Sequence, residues 1–338
     1  MSSTVCPTYQ KSIFISGMNI LFYVQTPILA FMGYCILFKS SAAMATFKKM
    51  LFHQVVWLQI SGLIMGILVI PVMCTPVGAT SFNGFLNVLG ISPIIQYYLY
   101  FCSVGGVVAS TMALLENRFH MSLPPYSICK LPNKVRYVWF IVRSALLINL
   151  GVPIIVFAEE DMTNTRNQYI AQYPCVAVEL QRKEIFMFPQ SISGPLKYFN
   201  QVVVFICVIE MFIYIFGAYW TLGKSCEKLQ VSENTRKLQR RYFKAILIQE
   251  LVPWLLAYMP KNMISIFGTL TAQTSLNMNN LSTFLMTAHG IWSSITLLIL
   301  IKPYRDFIRK SLGIRPTPKP VNLFSKSSAT HSQITTPI

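Results

Sequence analysis

Seven stretches of about 20 mostly apolar residues alternate with polar segments along the chain. A helix needs about 20 residues to cross the hydrocarbon core of a bilayer, so each stretch predicts one transmembrane span. No period of 20–50 residues repeats, and no matching halves of the kind found in many transporters are present. The pattern therefore predicts an all-α membrane protein with a seven-transmembrane helix bundle. The predicted spans are Met18–Leu37, Val55–Met73, Ile94–Leu115, Val138–Phe157, Val202–Leu222, Ala245–Phe267 and Leu281–Ile301.

The composition agrees with this pattern. Of the 338 residues, 54% are hydrophobic and 12% are charged, whereas a soluble domain carries about 25% charged residues. The net charge of +17 raises the question of nucleic-acid binding. The chain contains neither zinc-finger spacing nor a basic patch on a soluble fold, so the expected partner of the basic residues is the lipid bilayer and not nucleic acid.

Basic residues are distributed unevenly between the two sets of alternating loops. Of the 28 Lys and Arg residues, 21 lie in the loops after spans one, three and five and in the C-terminal tail, and five lie on the other side. Because cytoplasmic loops are enriched in Lys and Arg, this bias predicts an outside N-terminus and an inside C-terminus. The loop between spans four and five is then external, and it is long enough to fold over the mouth of a pocket.

Metal, cofactor and enzymatic chemistry find no support in the residue spacing. The four His residues form no pair with metal-ligand spacing, and the eight Cys residues form no Cys-x-x-Cys pair. A retinal Schiff base requires a lysine within span seven, and the first lysine there is Lys302, at its end. We therefore predict a protein without a cofactor and without enzymatic activity.

Charged residues inside the spans are candidates for function because their burial in lipid is costly. Span three ends in Glu116-Asn117-Arg118, and an arginine at that place forms a switch if it pairs with an acid in one state and is released in another. Glu250, near the same end of span six, is a candidate partner for Arg118. The alternatives are an arginine that snorkels to the membrane surface and a protonated glutamate bonded to a neighbouring helix. Arg143, inside span four, is also close enough to the cytoplasmic side to snorkel.

Span seven is followed by Pro303-Tyr304-Arg305, where proline stops the helix. Apolar and basic residues then alternate at helical spacing up to Gly313, which predicts a short interfacial helix. We divide the chain into a seven-transmembrane domain, 1–315, and a disordered cytoplasmic tail, 316–338. The Ser- and Thr-rich tail fits either a phosphorylated regulatory segment or a plain solvated terminus.

Several of these motifs together resemble the nematode serpentine chemoreceptors, with class H as the best match, and the resemblance covers nearly the whole chain. Two positions depart from the family pattern: Leu115 replaces an aromatic residue, and Ser40-Ser41 stand where a Thr-Pro pair is common. The motifs that carry the resemblance are Glu116-Asn117-Arg118, Gln249 with Pro253 and Pro260, His289-Gly290, Pro303-Tyr304-Arg305, and the first loop from Lys39 to Leu51.

The resemblance implies a G-protein-coupled receptor in the plasma membrane, in the cilia of chemosensory neurons. Its partners would be a small-molecule ligand outside and a heterotrimeric G protein inside, with Tyr304 and Arg305 at the coupling face. A kink at Pro253 would serve as the pivot of span six. The rival classes are a ligand-gated channel of the insect odorant-receptor kind, whose N-terminus is inside, and a transporter.

A ligand pocket is expected between the external halves of spans three, five, six and seven, because ligand sites in helical bundles form between helices. Its lining suits a small, mainly neutral molecule. Glu210 and His289 lie at similar depth, so they are expected to pair with each other, or else Glu210 anchors a cationic ligand. Cys74 and Cys175 are candidates for a disulfide on the oxidising external side. The pocket candidates are Tyr97, Phe101, Glu210, Phe284, Thr287 and His289.

Overall fold

The protein is described from a computed structural model. The structure describes residues 11–40, 45–74, 79–124, 127–157, 163–172, 181, 185–187, 190–224, 243–244, 247–248, 251, 254–255, 259–260, 262–264 and 276–313.

Long helices make up most of this part of the chain, and three short strands join two of its loops. The helices are α1 (Lys11–Lys39), α2 (Ala45–Leu63), α3 (Phe85–Val88), α4 (Pro93–Ser122), α5 (Asn133–Ile148), α6 (Val152–Phe157), α7 (Thr163–Gln172), α8 (Gln190–Lys224), α9 (Leu276–Thr287), α10 (His289–Leu300) and α11 (Lys302–Ser311). The strands are β1 (Pro71–Cys74), β2 (Ala79–Phe82) and β3 (Ile185–Phe186).

Five helical segments of the described chain are long and apolar enough to cross a membrane. They correspond to predicted spans one, two, three, five and seven. Predicted span four corresponds to α5 and α6, while predicted span six lies mostly outside the described residues. The segments are Lys11–Lys39, Phe47–Leu68, Pro93–Ser122, Tyr198–Thr221 and Asn277–Leu300.

The end of span two differs from the prediction. Helix α2 continues as a π-helical segment, Ile64–Leu68, and the chain then leaves the helix before Pro71. Proline lacks the backbone N–H that a helix interior requires, so Pro71 begins a strand instead of extending the span to Met73. The predicted end of span two at Met73 is therefore wrong, because its last residues belong to β1.

A three-stranded antiparallel sheet connects the loop after span two with the long loop before span five. Strand β2 lies in the middle and pairs with β1 on one side and with β3 on the other. In the second pair, Thr80 lies opposite Phe186 and Ser81 opposite Ile185. Strand β3 therefore joins the long loop to the loop after span two at this end of the bundle. We call this end of the bundle, where the three strands lie, the sheet end. The opposite end, where α1, α4 and α8 finish, is called the basic end.

Spans four and seven are each interrupted. A 3₁₀ turn, Asn149–Gly151, separates α5 from α6, because Pro153 in the first turn of α6 has no N–H to continue the helical ladder from α5. Ala288 separates α9 from α10 directly before His289. After Leu300, α11 forms the predicted short helix, and Gly313 follows it with a φ of +69°, a conformation that glycine adopts without steric cost.

Two apolar clusters fill the interior. The cluster at the basic end includes Leu51, Leu115 and Tyr304, and the cluster at the sheet end includes Met18, Phe82 and Phe186. The outward surface of the long helices is also apolar; on α8, the exposed fractions of Phe205 and Phe216 are both 65%. Apolar side chains on the outside as well as the inside are expected where helices face lipid.

Candidate functional site

A network of charged side chains joins three helices near the end of α4. Glu116 accepts a hydrogen bond on Oε1 from Nε of Arg136, at 3.1 Å, and one on Oε2 from Nη2 of Arg143, also at 3.1 Å. Arg136 additionally donates from Nη2 to Oδ1 of Asn117, at 3.3 Å. Both arginines belong to α5, so the carboxylate of α4 is held between two cations of the neighbouring helix.

The network continues from α5 to α8 through Arg143. Nη1 of Arg143 donates to Oε1 of Glu210 at 2.7 Å and to the hydroxyl of Tyr214 at 3.2 Å. The Tyr214 hydroxyl in turn donates to Oε1 of Glu210 at 2.6 Å. The side chain of Arg143 is only 5% exposed. Arg143 therefore does not snorkel to the surface as the sequence suggested, because it pairs with two carboxylates inside the bundle.

Arg118 points to a different helix from Glu116. Its guanidinium carbon lies 3.3 Å from the centre of the Phe47 ring, which belongs to α2. Residues two apart on a helix do not face each other, so Arg118 and Glu116 are directed to opposite sides of α4. Within the described residues, the ion-pair partners of Glu116 are thus Arg136 and Arg143.

The Pro303-Tyr304-Arg305 motif lies at the start of α11. Tyr304 is completely buried in the basic-end cluster, and its hydroxyl lies 2.8 Å from the Ser40 hydroxyl at the end of α1. Arg305 is partly exposed. The ammonium group of Lys39 lies 4.6 Å from the centre of the Phe307 ring. Helix α11 is therefore attached to the end of α1 by a hydrogen bond and by a cation–π contact.

Aromatic rings fill the sheet end of α4. Tyr97 and Phe101 share one face of the helix, as their spacing predicted, with ring centroids 5.0 Å apart. Tyr97 also stacks on Phe186 of β3 at 4.8 Å and contacts Phe82 of β2 edge-on at 6.1 Å. The sheet thus packs directly on Tyr97, one of the predicted pocket residues.

Other pocket candidates lie on α9 and α10. Phe284 packs against the sheet-end cluster with Tyr97 and Phe101. Thr287 and His289 are buried and line a small cavity between α2, α4 and span seven. This cavity has room for about one water molecule. The Thr287 hydroxyl also lies 3.5 Å from the sulfur of Met65, in the π-helical segment.

Glu210 lies apart from these residues. Its hydrogen bonds go to Arg143 and Tyr214, so the expected pair with His289 is wrong in this structure. The physical reason is that an arginine, with its permanent charge and several donors, compensates a buried carboxylate better than a neutral imidazole does.

Three of the predicted site residues, Glu250, Pro253 and Cys175, lie outside the described residues. The backbone of Cys74 ends strand β1, and its side chain is not described. The sequence analysis did not identify Arg136, Tyr214 or Phe47. Arg143 was visible as a charge inside an apolar span, but its partners are 27 and 67 residues away in the chain.

Comparison with known proteins agrees with this architecture. The chain is 25% identical to serpentine receptor class H-72 of Caenorhabditis elegans over 310 residues, which cover 86% of this chain and 83% of that receptor. A shorter match joins it to serpentine receptor class r-10 of the same nematode, at 29% identity over 105 residues, 31% of this chain and 30% of that receptor. The fold resembles squid rhodopsin with a TM-score of 0.53 at 10% identity, covering 91% of this chain and 87% of that chain.

The fold is therefore that of rhodopsin, and the relatives that the chain matches over most of its length are receptors and not enzymes. The model of the serpentine type 7TM GPCR chemoreceptor Srh family matches residues 9–314, nearly the whole chain, and the protein is a member of that family.

Proposed function

We propose that the protein is a chemosensory receptor of the plasma membrane that binds a small external molecule and activates a heterotrimeric G protein. The N-terminus lies outside and the C-terminus inside, with the tail 316–338 exposed to cytoplasmic kinases. The family suggests the cilia of sensory neurons as its location.

The observation that carries this proposal is the position of Arg118. It lies near the end of α4, at the end of the bundle where α1 and α8 also finish and where the sequence predicts the basic loops. It contacts a ring of α2 while Glu116 is held by α5. A cation placed where charged loops meet the bundle suits a contact with a cytoplasmic protein.

The ligand is expected to bind beneath the sheet, between the sheet-end halves of the helices. The described residues there are mostly aromatic and aliphatic, with the Thr287 hydroxyl and the His289 ring as polar groups, which favours a small and mainly neutral molecule. Span six completes this site in the proposal, with Pro253 as its pivot and Glu250 near the coupling face.

The experiment is a screen of small volatile and water-soluble compounds against cells that express the receptor with a panel of Gα subunits. Arg118→Ala is expected to abolish the second-messenger signal while surface expression stays near that of wild type. Arg118→Lys keeps a cation and serves as the control. A full signal from Arg118→Ala at normal surface level contradicts the role of Arg118.

The same cells distinguish the receptor from a ligand-gated channel. Ligand-evoked current without a second-messenger signal from any Gα subunit contradicts G-protein coupling. Tags on both termini test the orientation, since an antibody must reach only the N-terminal tag in intact cells.

A further inference from the structure

Arg143 contacts acids of two other helices at once. Its Nη2 bonds to Glu116 of α4 at 3.1 Å, and its Nη1 bonds to Glu210 of α8 at 2.7 Å. A guanidinium group is flat and carries donors in a fixed fork, so a single side chain serves two carboxylates on opposite sides. Arg143 therefore connects spans three, four and five through one buried group.

The charges of this cluster balance. Arg136 and Arg143 supply two positive charges, and Glu116 and Glu210 supply two negative ones. The side chains of Glu116 and Glu210 are only 12% and 21% exposed. Because an unpaired charge in a membrane span is costly, removal of one member leaves a charge that the others do not compensate.

The Tyr214 hydroxyl completes the cluster on α8. It accepts from Arg143 and donates to Glu210, so both groups of the ion pair are also bonded to the same neutral side chain. On the α4 side, Glu116 is bonded to a second cation, Arg136 of α5. The link between α5 and α8 thus depends mainly on the pair of Arg143 and Glu210.

We infer that Arg143 and Glu210 form a clamp that holds α8 against α4 and α5 and keeps the receptor in its resting arrangement. Arg143 is a positioning residue, because it fixes Glu116 on α4 two residues before Arg118, whose side chain contacts Phe47. Any movement that separates α8 from α4 must break either the 2.7 Å bond of Arg143 to Glu210 or its 3.1 Å bond to Glu116. The clamp therefore raises the free energy of separated arrangements relative to the one seen here.

The inference rests on the proposed function for its signalling part, but the clamp itself is testable without a G protein. The variants are Arg143→Gln, Glu210→Gln and the double variant, each in the full-length receptor. The two single variants each leave an uncompensated charge. The double variant removes the clamp and keeps the charges balanced, since Glu116 still pairs with Arg136.

The first measurement is the melting temperature of the purified receptor. Each single variant is expected to melt several degrees lower than wild type, and the double variant is expected to lose clearly less than the two losses together. A matched control is Lys302→Gln with Asp306→Asn, which removes one exposed charge of each sign from α11 and is expected to give small, additive shifts. Additive losses in the Arg143 and Glu210 variants overturn the clamp.

The second measurement is ligand-independent second-messenger signal per receptor at the surface, with the Gα panel. The double variant is expected to signal several-fold above wild type, because it is folded but no longer held in the resting arrangement. If the losses in melting temperature are non-additive but the basal signal of the double variant equals that of wild type, the resting-state role is overturned. The pair of Arg143 and Glu210 then only stabilises the fold. If wild type and every variant fail to signal with all Gα subunits and all compounds, the proposed function fails, and the melting temperatures alone decide on the clamp.

Discussion

The guanidinium carbon of Arg118 lies 3.3 Å from the centre of the Phe47 ring, so the motif at the end of α4 is attached to the beginning of α2. Phe47 is 4% exposed, which places this contact at the edge of the basic-end cluster. The arginine is thereby held away from the charge network around Glu116.

This contact leads to the first prediction. Phe47→Leu removes the π face but keeps an apolar side chain, so it is expected to lose the cation–π contribution of about 0.5–2 kcal/mol in addition to the cost of the smaller side chain. In thermal unfolding, Phe47→Leu should lower the free energy of unfolding more in the wild-type background than in an Arg118→Gln background. Equal costs in the two backgrounds would mean that the contact contributes nothing to stability.

A second prediction concerns the closest approach of α4 and α5. A Cβ atom on Gly105 would overlap the carbonyl oxygen of Leu147, which is backbone and cannot turn away. Gly105→Ala is expected to cost about 1–3 kcal/mol or more through overpacking, and to reduce the amount of folded receptor at the cell surface.

The control for this substitution is Gly17→Ala in α1. A Cβ there meets only the Phe284 ring, at 3.6 Å, an ordinary contact distance. Alanine also favours a helix more than glycine does. Gly17→Ala should therefore keep the wild-type surface level, and a similar loss in both variants would contradict the packing argument.

The five long apolar segments of the described chain were predictable because the bilayer fixes their length, and the apolar runs record that length directly. The end of α11 was predictable too, since Gly313 has the positive φ that the last turn requires. The sheet was not. Pro71–Cys74 continues an apolar run, and its sheet is completed by Ile185–Phe186, more than 100 residues later, so no local pattern marks either segment as a strand.

The charge network was only half predictable. Glu116 and Arg143 were each visible as charges in apolar surroundings, but the sequence does not record which helix faces which. The separation of Arg118 from Glu116 follows from helix geometry alone, since two residues correspond to about 200° of rotation. Glu210 pairs with Arg143 and not with the expected His289, because of how α5 and α8 pack.

The third prediction tests the attachment of α11. The Tyr304 hydroxyl lies 2.8 Å from the Ser40 hydroxyl, which also donates to the Ile36 carbonyl at 2.7 Å. Tyr304→Phe removes only the hydroxyl from a fully buried ring and is expected to cost about 1 kcal/mol. Thermal unfolding of Tyr304→Phe, Ser40→Ala and the double variant should show non-additive losses. Strictly additive losses would argue against a direct bond between the two hydroxyls.

The last prediction concerns the sheet over the predicted ligand site. Phe186 is completely buried, and its ring stacks on Tyr97 with centroids 4.8 Å apart. Phe186→Ala is expected to cost about 3–5 kcal/mol, because it removes the ring and leaves a cavity between β3 and α4. Phe186→Leu keeps most of the volume and should cost clearly less. The matched control is Phe85→Ala on α3, at the same end of the bundle, where the phenylalanine is 53% exposed and its loss should change the melting temperature little. Similar melting temperatures for Phe186→Ala and Phe85→Ala would contradict the packing of the long loop on α4. With that packing intact, a ligand that enters from the sheet end must displace Phe186 or pass beside it. Phe186→Leu should therefore change the potency of the ligand while the melting temperature changes little.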